Sequence, residues 1–202
     1  MKKLISSIIA IVFALNVSAY AEEKLTIEKQ LVGIVGAISG TVKTETRELK
    51  AGDKIYLNET IYAGVGAGTQ ILLLDQSTFT IGEDSEVVMD TFVFDPETND
   101  GKIVASVKQG SLKVISGLIS KKNPDSLTVE VPEGTLGSRG TEFQTIVSRG
   151  KTDTLLIGPG KNNTLGMRPG AVLVGNSLGS TLLDNPYSCL LYTSPSPRDS
   201  SQ

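Results

Sequence analysis

The feature that most constrains this 202-residue chain is a series of short apolar segments, each followed by a turn, over residues 32–185. The segments are rich in Val, Ile, Thr and Leu, and Gly, Asn, Asp or Pro separates them. Short runs of this composition between turn residues are typical of β-strands. The pattern predicts an all-β fold with a single antiparallel domain. A sandwich or barrel-like architecture is expected, and a β-roll or solenoid is the alternative.

Three segments refine this prediction. In TFTIG, Phe79 and Ile81 alternate with threonines, so one face of the strand is apolar. ILLLD, residues 71–75, is apolar on both faces, which is typical of a central strand. The only candidate helix after residue 21 is GLISKKN, residues 117–123, which Pro124 would end.

The first 21 residues have the organisation of a secretory signal peptide. MKK precedes the apolar run LISSIIAIVFAL, and Ala19 and Ala21 suit cleavage after Ala21. The run is too short for a stable membrane span, and no later segment has about 18 continuous apolar residues. We expect residues 1–21 to be a signal peptide and residues 22–31 a short linker. The mature chain is then periplasmic or secreted, without membrane insertion.

The charge of the mature chain limits its partners. Without Lys2 and Lys3, the 19 basic residues become 17 against 22 acidic residues, a net charge of −5. Nucleic-acid binding needs a basic surface to meet phosphates, so we expect no nucleic-acid partner. The same sign disfavours electrostatic attachment to anionic lipid.

The residues that most often perform catalysis are scarce. The chain has no histidine and one cysteine, Cys189. Without imidazole, Ser-His-Asp and Cys-His arrangements cannot form, and zinc sites built on histidine or several thiolates lack their ligands. No cofactor is expected, and no residue is assigned as a catalytic or metal-binding group. A carboxylate-dependent glycan hydrolase stays open as an alternative, because it needs only two carboxylates about 5–10 Å apart.

Three motifs that carry chemistry in other proteins are incomplete here. GNSLG, residues 175–179, matches the nucleophile elbow, but the segment after it predicts a strand instead of a helix. GVGAG, residues 64–68, lacks the third glycine and the helix of a dinucleotide loop. DPETNDG, residues 95–101, resembles a calcium loop without flanking helices, so a solvent-exposed hairpin is favoured over a loose cation site.

The segment VPEGTLGSRGTEF places Arg139 between Gly137 and Gly140, just before a predicted strand. A guanidinium offers five donors in a planar fork, so it can bind several turn carbonyls or a carboxylate. We interpret the segment as a structural corner. The expected acidic partners of the arginine are Asp53 or Asp75, which lie in other glycine-containing turns.

The C-terminal residues 188–202, SCLLYTSPSPRDSSQ, have a Pro and Ser density that cannot build a core. Residues 189–199 also resemble the translated sequencing-adaptor read-through found at the ends of gene models from metagenomic DNA. We therefore expect a non-native, disordered tail in which Cys189 is not a site.

Residues 36–147 together resemble the FecR domain family. The resemblance depends on the order and spacing of ISGTV, LKAGDKIYLN, ILLLDQS, VKQGSLKV and VPEGTLGSRGTEF. Its markers are Gly52, Asp53, Gly64, Gly68, Leu72, Leu74, Asp75, Ser77, Gly110, Pro132, Gly137, Arg139, Gly140, Thr141 and Phe143. Seven of them are expected to be structural-motif residues: Gly52, Asp53, Asp75, Gly137, Arg139, Gly140 and Thr141. The resemblance predicts a FecR-like all-β domain over residues 32–187.

The FecR resemblance implies an extracytoplasmic domain without enzymatic activity. In the family's regulators of iron-siderophore uptake, the domain follows an inner-membrane span and a cytoplasmic segment that binds a sigma factor. Here a cleavable signal directly precedes the domain, so that role does not carry over. We predict an exported, non-enzymatic β-domain that binds an envelope protein or a glycan. The extracytoplasmic component of a FecR-type transmembrane signalling system is the alternative, beside the hydrolase.

Overall fold

The computed structural model describes residues 29–164 and 166–193. The predicted signal peptide and most of the predicted linker lie outside the described residues. The described residues form a short helix, α1 (Leu118–Lys122), and 15 strands. The strands are β1 (Leu31–Ser39), β2 (Val42–Lys43), β3 (Lys54–Tyr56), β4 (Thr60–Ala63), β5 (Gly68–Leu73), β6 (Thr78–Ile81), β7 (Ser85–Phe94), β8 (Gly101–Ile115), β9 (Leu127–Val131), β10 (Gly134–Ser138), β11 (Glu142–Ser148), β12 (Lys151–Gly158), β13 (Val172–Asn176), β14 (Gly179–Leu183) and β15 (Cys189–Thr193).

The strands form two sheets that share the long strand β8. Sheet I has the order β3-β1-β5-β6-β8-β11-β12-β15, and sheet II has the order β2-β4-β7-β8-β9-β10-β13-β14. The predicted all-β class is confirmed, and among the described residues neither sheet closes into a barrel. All strand pairs are antiparallel except β8 and β9, which are parallel and are connected through α1. The predicted antiparallel arrangement thus has one exception, which arises because a helical crossover lets the chain return in the same direction.

Apolar side chains from both sheets form one core. Phe79 and Ile81 of β6 are fully buried, which confirms the predicted alternation. Phe143 of sheet I and Ile103 of sheet II belong to the same cluster of buried residues. β5 lies between β1 and β6 as expected for a central strand, but its Leu72 is 47% exposed on the outer face. The second apolar face of ILLLD therefore faces solvent and not a second layer.

Strand β8 passes from sheet II to sheet I at Gly110. Its residues up to Gln109 pair with β7, and those from Gly110 onward pair with β11. At Gly110 φ is +83°, and an added Cβ would collide with the Cα and Oγ of Ser85. The Ser85 hydroxyl accepts a hydrogen bond from the Ser111 N–H at 2.9 Å, which holds β7 against β8 at this point. Both the backbone conformation and the close approach require glycine here.

The helix α1 confirms the candidate helix in GLISKKN. It ends at Lys122, where the Asn123 N–H donates to the Ile119 carbonyl at 2.9 Å, and Pro124 follows. With five residues α1 is a connector between β8 and β9. No helix in the described part of the chain is long and apolar enough to cross a membrane.

The predicted disorder of the C-terminal tail is wrong for Cys189–Thr193, which form β15 on the open edge of β12. Leu190 and Tyr192 alternate with more exposed residues and pack against the core. This two-residue period supplies one apolar face, which the high Pro and Ser content of the following residues hides in a compositional analysis. Cys189 is exposed with a free thiol. Residues 194–202 lie outside the described residues.

The crossing at Gly110 can be tested against a glycine that differs only in its surroundings. Gly52 has φ +90° with no atom within 4 Å of a Cβ position. We expect Gly52→Ala to lower the free energy of unfolding by about 1–2 kcal/mol through backbone strain alone. Gly110→Ala adds the collision with Ser85, so its loss should exceed that of Gly52→Ala by about 1–3 kcal/mol. Urea unfolding measures both, and equal losses would contradict the close approach.

The strand β15 gives a second prediction. We expect Tyr192→Ala to lower the Tm by several degrees, because the side chain packs on the core, whereas Leu191→Ala, at a 54% exposed position, should leave it nearly unchanged. A chain ending at Ser188 should lose at least as much as Tyr192→Ala. Thermal unfolding followed by circular dichroism measures all three. An unchanged Tm for the shortened chain would instead support a tail without a role in the fold.

Candidate functional site

Three connections between sheets I and II meet at one end of the molecule. They are the crossover (residues 116–126, with α1), the corner (residues 139–141, between β10 and β11) and the long connection (residues 159–171, between β12 and β13). The N–H of Gly140 donates to Ser120 Oγ at 3.0 Å, and the N–H of Arg139 donates to the Ala171 carbonyl at 2.9 Å. The corner is therefore bonded to both of the other connections.

Buried hydroxyl groups hold the corner in place. Ser116 Oγ donates to the Thr141 carbonyl at 2.7 Å, accepts from the Thr141 N–H at 3.2 Å and lies 2.7 Å from Ser138 Oγ. Ser120 Oγ donates to the Ser138 carbonyl at 2.9 Å. All four residues are buried, so each of these hydrogen bonds satisfies a group that water does not reach.

Arg139 forms a two-pronged ion pair with Asp125. Its Nε and Nη2 donate to Oδ1 and Oδ2 at 3.0 and 2.9 Å. This hydrogen bonding raises the pKa of Arg139 above its usual value. The prediction that Asp53 or Asp75 is the acidic partner of Arg139 is therefore wrong. The guanidinium binds the Asp125 carboxylate instead of the turn carbonyls. Asp125, with φ +66°, follows Pro124 in the crossover, and its N–H donates to the Ser138 carbonyl, which brings its side chain to the corner.

Gly52 and Asp53 belong to a separate turn before β3. The Asp53 carboxylate accepts from the Lys50 N–H at 2.8 Å, and its carbonyl accepts from the Val35 N–H at 2.9 Å. These bonds hold the turn against β1. Gly52 and Asp53 therefore do not lie at the corner.

Asp75 is fully buried and supports the start of the crossover. Its carboxylate accepts from the Ser77 N–H at 3.0 Å and from Ser77 Oγ at 2.8 Å, and Ser77 Oγ accepts from the Gly117 N–H at 2.8 Å. A Cβ on Gly117 would collide with the Asp75 carbonyl and the Ser77 nitrogen. Asp75 therefore reaches the corner indirectly, through α1, while Gly137, Arg139, Gly140 and Thr141 lie at or beside it.

An apolar groove of about 670 Å³ lies where the three connections meet. Its apolar lining includes Ile115, Pro159, Met167, Pro169 and Ala171. Ile115 is 40% exposed and Met167 is 51% exposed, so the apolar surface is open to a ligand. A volume of this size lies within the range of about 300–1,000 Å³ that is usual for ligand sites.

Four cationic and two anionic side chains also line the groove: Lys121, Arg139, Lys161, Arg168, Glu142 and Asp184. Lys161 pairs with Asp184 at 3.0 Å, and Glu142 pairs at 2.6 Å with Lys113, which lies outside the lining. Among the ion pairs of residues 29–164 and 166–193, none includes Lys121 or Arg168. The Arg168 Nη1 donates to the backbone carbonyl of Lys121 at 2.6 Å, so the guanidinium lies beside the Lys121 backbone, and both residues are exposed.

Polar side chains that line the groove make contacts within the protein. Its hydroxyls are engaged with backbone carbonyls: those of Ser116 and Ser120 as above, and that of Thr141 with the Pro159 carbonyl at 3.3 Å. Each of its two carboxylates has a lysine partner.

The motif segments outside the corner have structural roles. In the predicted hairpin loop, Asp95 accepts from Thr98 Oγ1 at 2.7 Å, and Asp100 pairs with Lys122 of α1 at 2.8 Å. These hydrogen bonds lower the pKa of both aspartates. No cluster of three or more potential metal-ligating side chains occurs in the described part of the chain. GNSLG forms the turn between β13 and β14, as the predicted following strand requires.

Sequence reasoning missed the residues that complete the site. Ser138 has the same phase as the apolar Leu136 in β10, so the period of two could have placed its hydroxyl on the buried face. Asp125 stands in a Pro-Asp-Ser turn, which indicates a loop but no partner. Lys121 and Arg168 are far apart in the chain, and no local pattern connects them.

The chain was compared with known proteins. The family model described as FecR protein matches residues 59–157, which include Asp75 and the corner but not Gly52 and Asp53. No curated protein matches the chain. Two crystal structures of a proposed anti-sigma factor from Parabacteroides distasonis ATCC 8503 are similar to it, with TM-scores of 0.49 and 0.47 at 12% and 11% identity. Both matches cover 66% of this chain and 54% of the other, so the chain spans about half the length of the solved structures it matches.

The corner predicts a ranking of stability losses. The side chains of Arg139 and Asp125 are 37% and 39% exposed, so solvent screens their pair. We expect a coupling of about 1 kcal/mol or less in a double-mutant cycle with Arg139→Ala and Asp125→Asn. Arg139→Lys should recover part of the loss, because an ammonium cannot reproduce the planar fork.

Ser116→Ala should cost more, about 1–3 kcal/mol, because it leaves the Thr141 N–H without its acceptor inside the protein. Urea unfolding of the four single variants and of the Arg139→Ala/Asp125→Asn double variant measures this ranking. A smaller loss for Ser116→Ala than for Arg139→Ala would show that the ion pair, and not the hydroxyl network, holds the corner.

Proposed function

Because residues 59–157 of this chain form a FecR domain, we propose that the protein is a non-enzymatic component of a FecR-type signalling system that binds a protein partner outside the cytoplasm. The signal-like residues 1–21 support export. In this proposal a partner protein supplies the membrane part of the system.

The groove beside the corner is the observation that carries this proposal. The hydroxyls and the backbone of the corner bond to each other, so this part of the molecule forms a frame held from three connections. What remains free at its surface is apolar area and two cations, Lys121 and Arg168, that have no acidic partner within the described part of the chain. Apolar surface with a few charged groups is suited to recognition of another molecule.

The hydrolase alternative is disfavoured by the same groove. A glycan hydrolase needs one carboxyl group that is held protonated as an acid and a second that attacks or activates water. Glu142 and Asp184 line the groove, but Lys113 and Lys161 neutralise them. The absence of histidine from the whole sequence removes the commonest alternative acid and base.

Site-specific photocrosslinking in the native bacterial host tests the proposed function. A photoreactive residue is placed at Met167, in the groove, or at Val65, an 85% exposed apolar position that does not line it. We expect Met167 to crosslink to an envelope protein and Val65 to give no such product. Removal of residues 1–21 should abolish the crosslink, because the chain then stays in the cytoplasm.

Mass spectrometry of the crosslinked product identifies the partner, and deletion of the partner's gene should abolish the signal that the system controls. Crosslinking that is equal at both positions, or that persists without residues 1–21, would contradict the proposal.

A further inference from the structure

We infer that the groove binds an extended, acidic peptide segment of the partner protein, with an apolar side chain in the groove and a carboxylate on Lys121 and Arg168. This inference rests on the proposed function and names the chemistry of the ligand. Its first basis is the unpaired charge: every other charged side chain that lines the groove has an ion-pair partner among the described residues.

The two cations belong to different connections that meet at the groove. Lys121 lies in the last turn of α1, and Arg168 lies in the long connection. The hydrogen bond from the Arg168 Nη1 to the Lys121 carbonyl uses one of five guanidinium donors, and the lysine ammonium retains its three. A carboxylate bound at both sites gains charge-assisted hydrogen bonds, which are stronger than neutral ones.

The charge of the rest of the protein makes this site selective. The mature chain is predicted to carry a net charge of −5, so most of its surface repels acidic partners. A local cationic site on such a protein orients an acidic partner, because the acidic segment is attracted to this site and repelled by the rest of the surface. A basic or neutral segment would leave both cations unpaired when the groove is covered.

The lining favours a peptide over a glycan. Sugars need free hydrogen-bonding groups, but the hydroxyls of Ser116, Ser120 and Thr141 already bond within the protein. The lining residues that the structure describes include no aromatic side chain, so they offer no flat surface for stacking against a sugar ring. Proline, methionine and alanine instead suit apolar peptide side chains.

Selection from a displayed library of random heptapeptides on the full chain tests this inference. We expect enriched peptides to contain Asp or Glu next to an apolar residue. Binding of a fluorescently labelled, enriched peptide should weaken by about tenfold or more in Lys121→Glu/Arg168→Glu, because both attractive charges become repulsive. Binding should also weaken as NaCl is raised from about 50 to about 500 mM, because salt screens the attraction between exposed charges.

The matched control is Lys102→Glu/Lys108→Glu, which reverses two exposed lysines on β8 outside the groove and gives the same net charge. It should bind the peptide within about twofold of the unchanged chain, because the total charge acts only weakly at this distance in salt. Circular dichroism and the Tm establish that both double variants remain folded.

Four results would overturn the inference. They are a library that yields no peptide, enriched peptides without acidic residues, equal loss in both double variants, and tighter binding to phosphatidylglycerol vesicles than to the peptide. The Met167 crosslink separates the two proposals. If Met167 still crosslinks to a partner in the Lys121→Glu/Arg168→Glu variant, the proposed function stands and the acidic-peptide inference is wrong. If an acidic peptide binds the groove but Met167 crosslinks to no partner, the proposed function is wrong and the peptide site stands.

Discussion

The passage of β8 between the two sheets is the constraint on which the rest of this structure depends. One continuous strand pairs with β7 on one side of Gly110 and with β6 and β11 on the other. The two sheets are thereby fixed relative to each other by backbone hydrogen bonds as well as by the shared core. The contact with Ser85 leaves no room for a side chain at the crossing. Glycine permits both the positive φ of this position and the close approach of Ser85.

The arrangement of the two sheets also creates the groove. After β8 the chain alternates between sheets I and II, and three of the resulting connections meet at one end. Because their backbones cross at short distance, they need polar groups that bond across connections, and Ser116, Ser120 and Ser138 supply them. The same short distance favours glycine: a Cβ at Gly170 would collide with Thr141 and with the Gly140 carbonyl. The groove is the space that these crossings leave open.

The charged residues divide into two groups with different roles. Glu59 is nearly buried and accepts two hydrogen bonds from the Arg47 guanidinium, and Arg139 with Asp125 repeats this two-pronged geometry at the corner. These pairs hold turns together: Arg47 binds the turn before β4, and Arg139 with Asp125 closes the base of the β9–β10 hairpin. Lys121 and Arg168 make no such pair with any residue that the structure describes, and both are exposed. This difference separates the structural part of the corner from the part proposed to bind a partner.

Local periodicity and turn residues by themselves determined the all-β class, the inward face of β6 and the short helix in GLISKKN, because each depends on neighbouring residues alone. Composition misjudged Cys189–Thr193, where five residues with a period of two found an open strand edge. The contact of Arg139 with Asp125 depends on the pairing of β9 with β10, which brings the two residues together at the base of that hairpin. The hydrogen bond from Arg168 to the Lys121 carbonyl was decided only by the tertiary structure, since it joins the crossover to the long connection. Contacts between distant segments depend on the paths of the connections, and no local pattern in a single sequence records those paths.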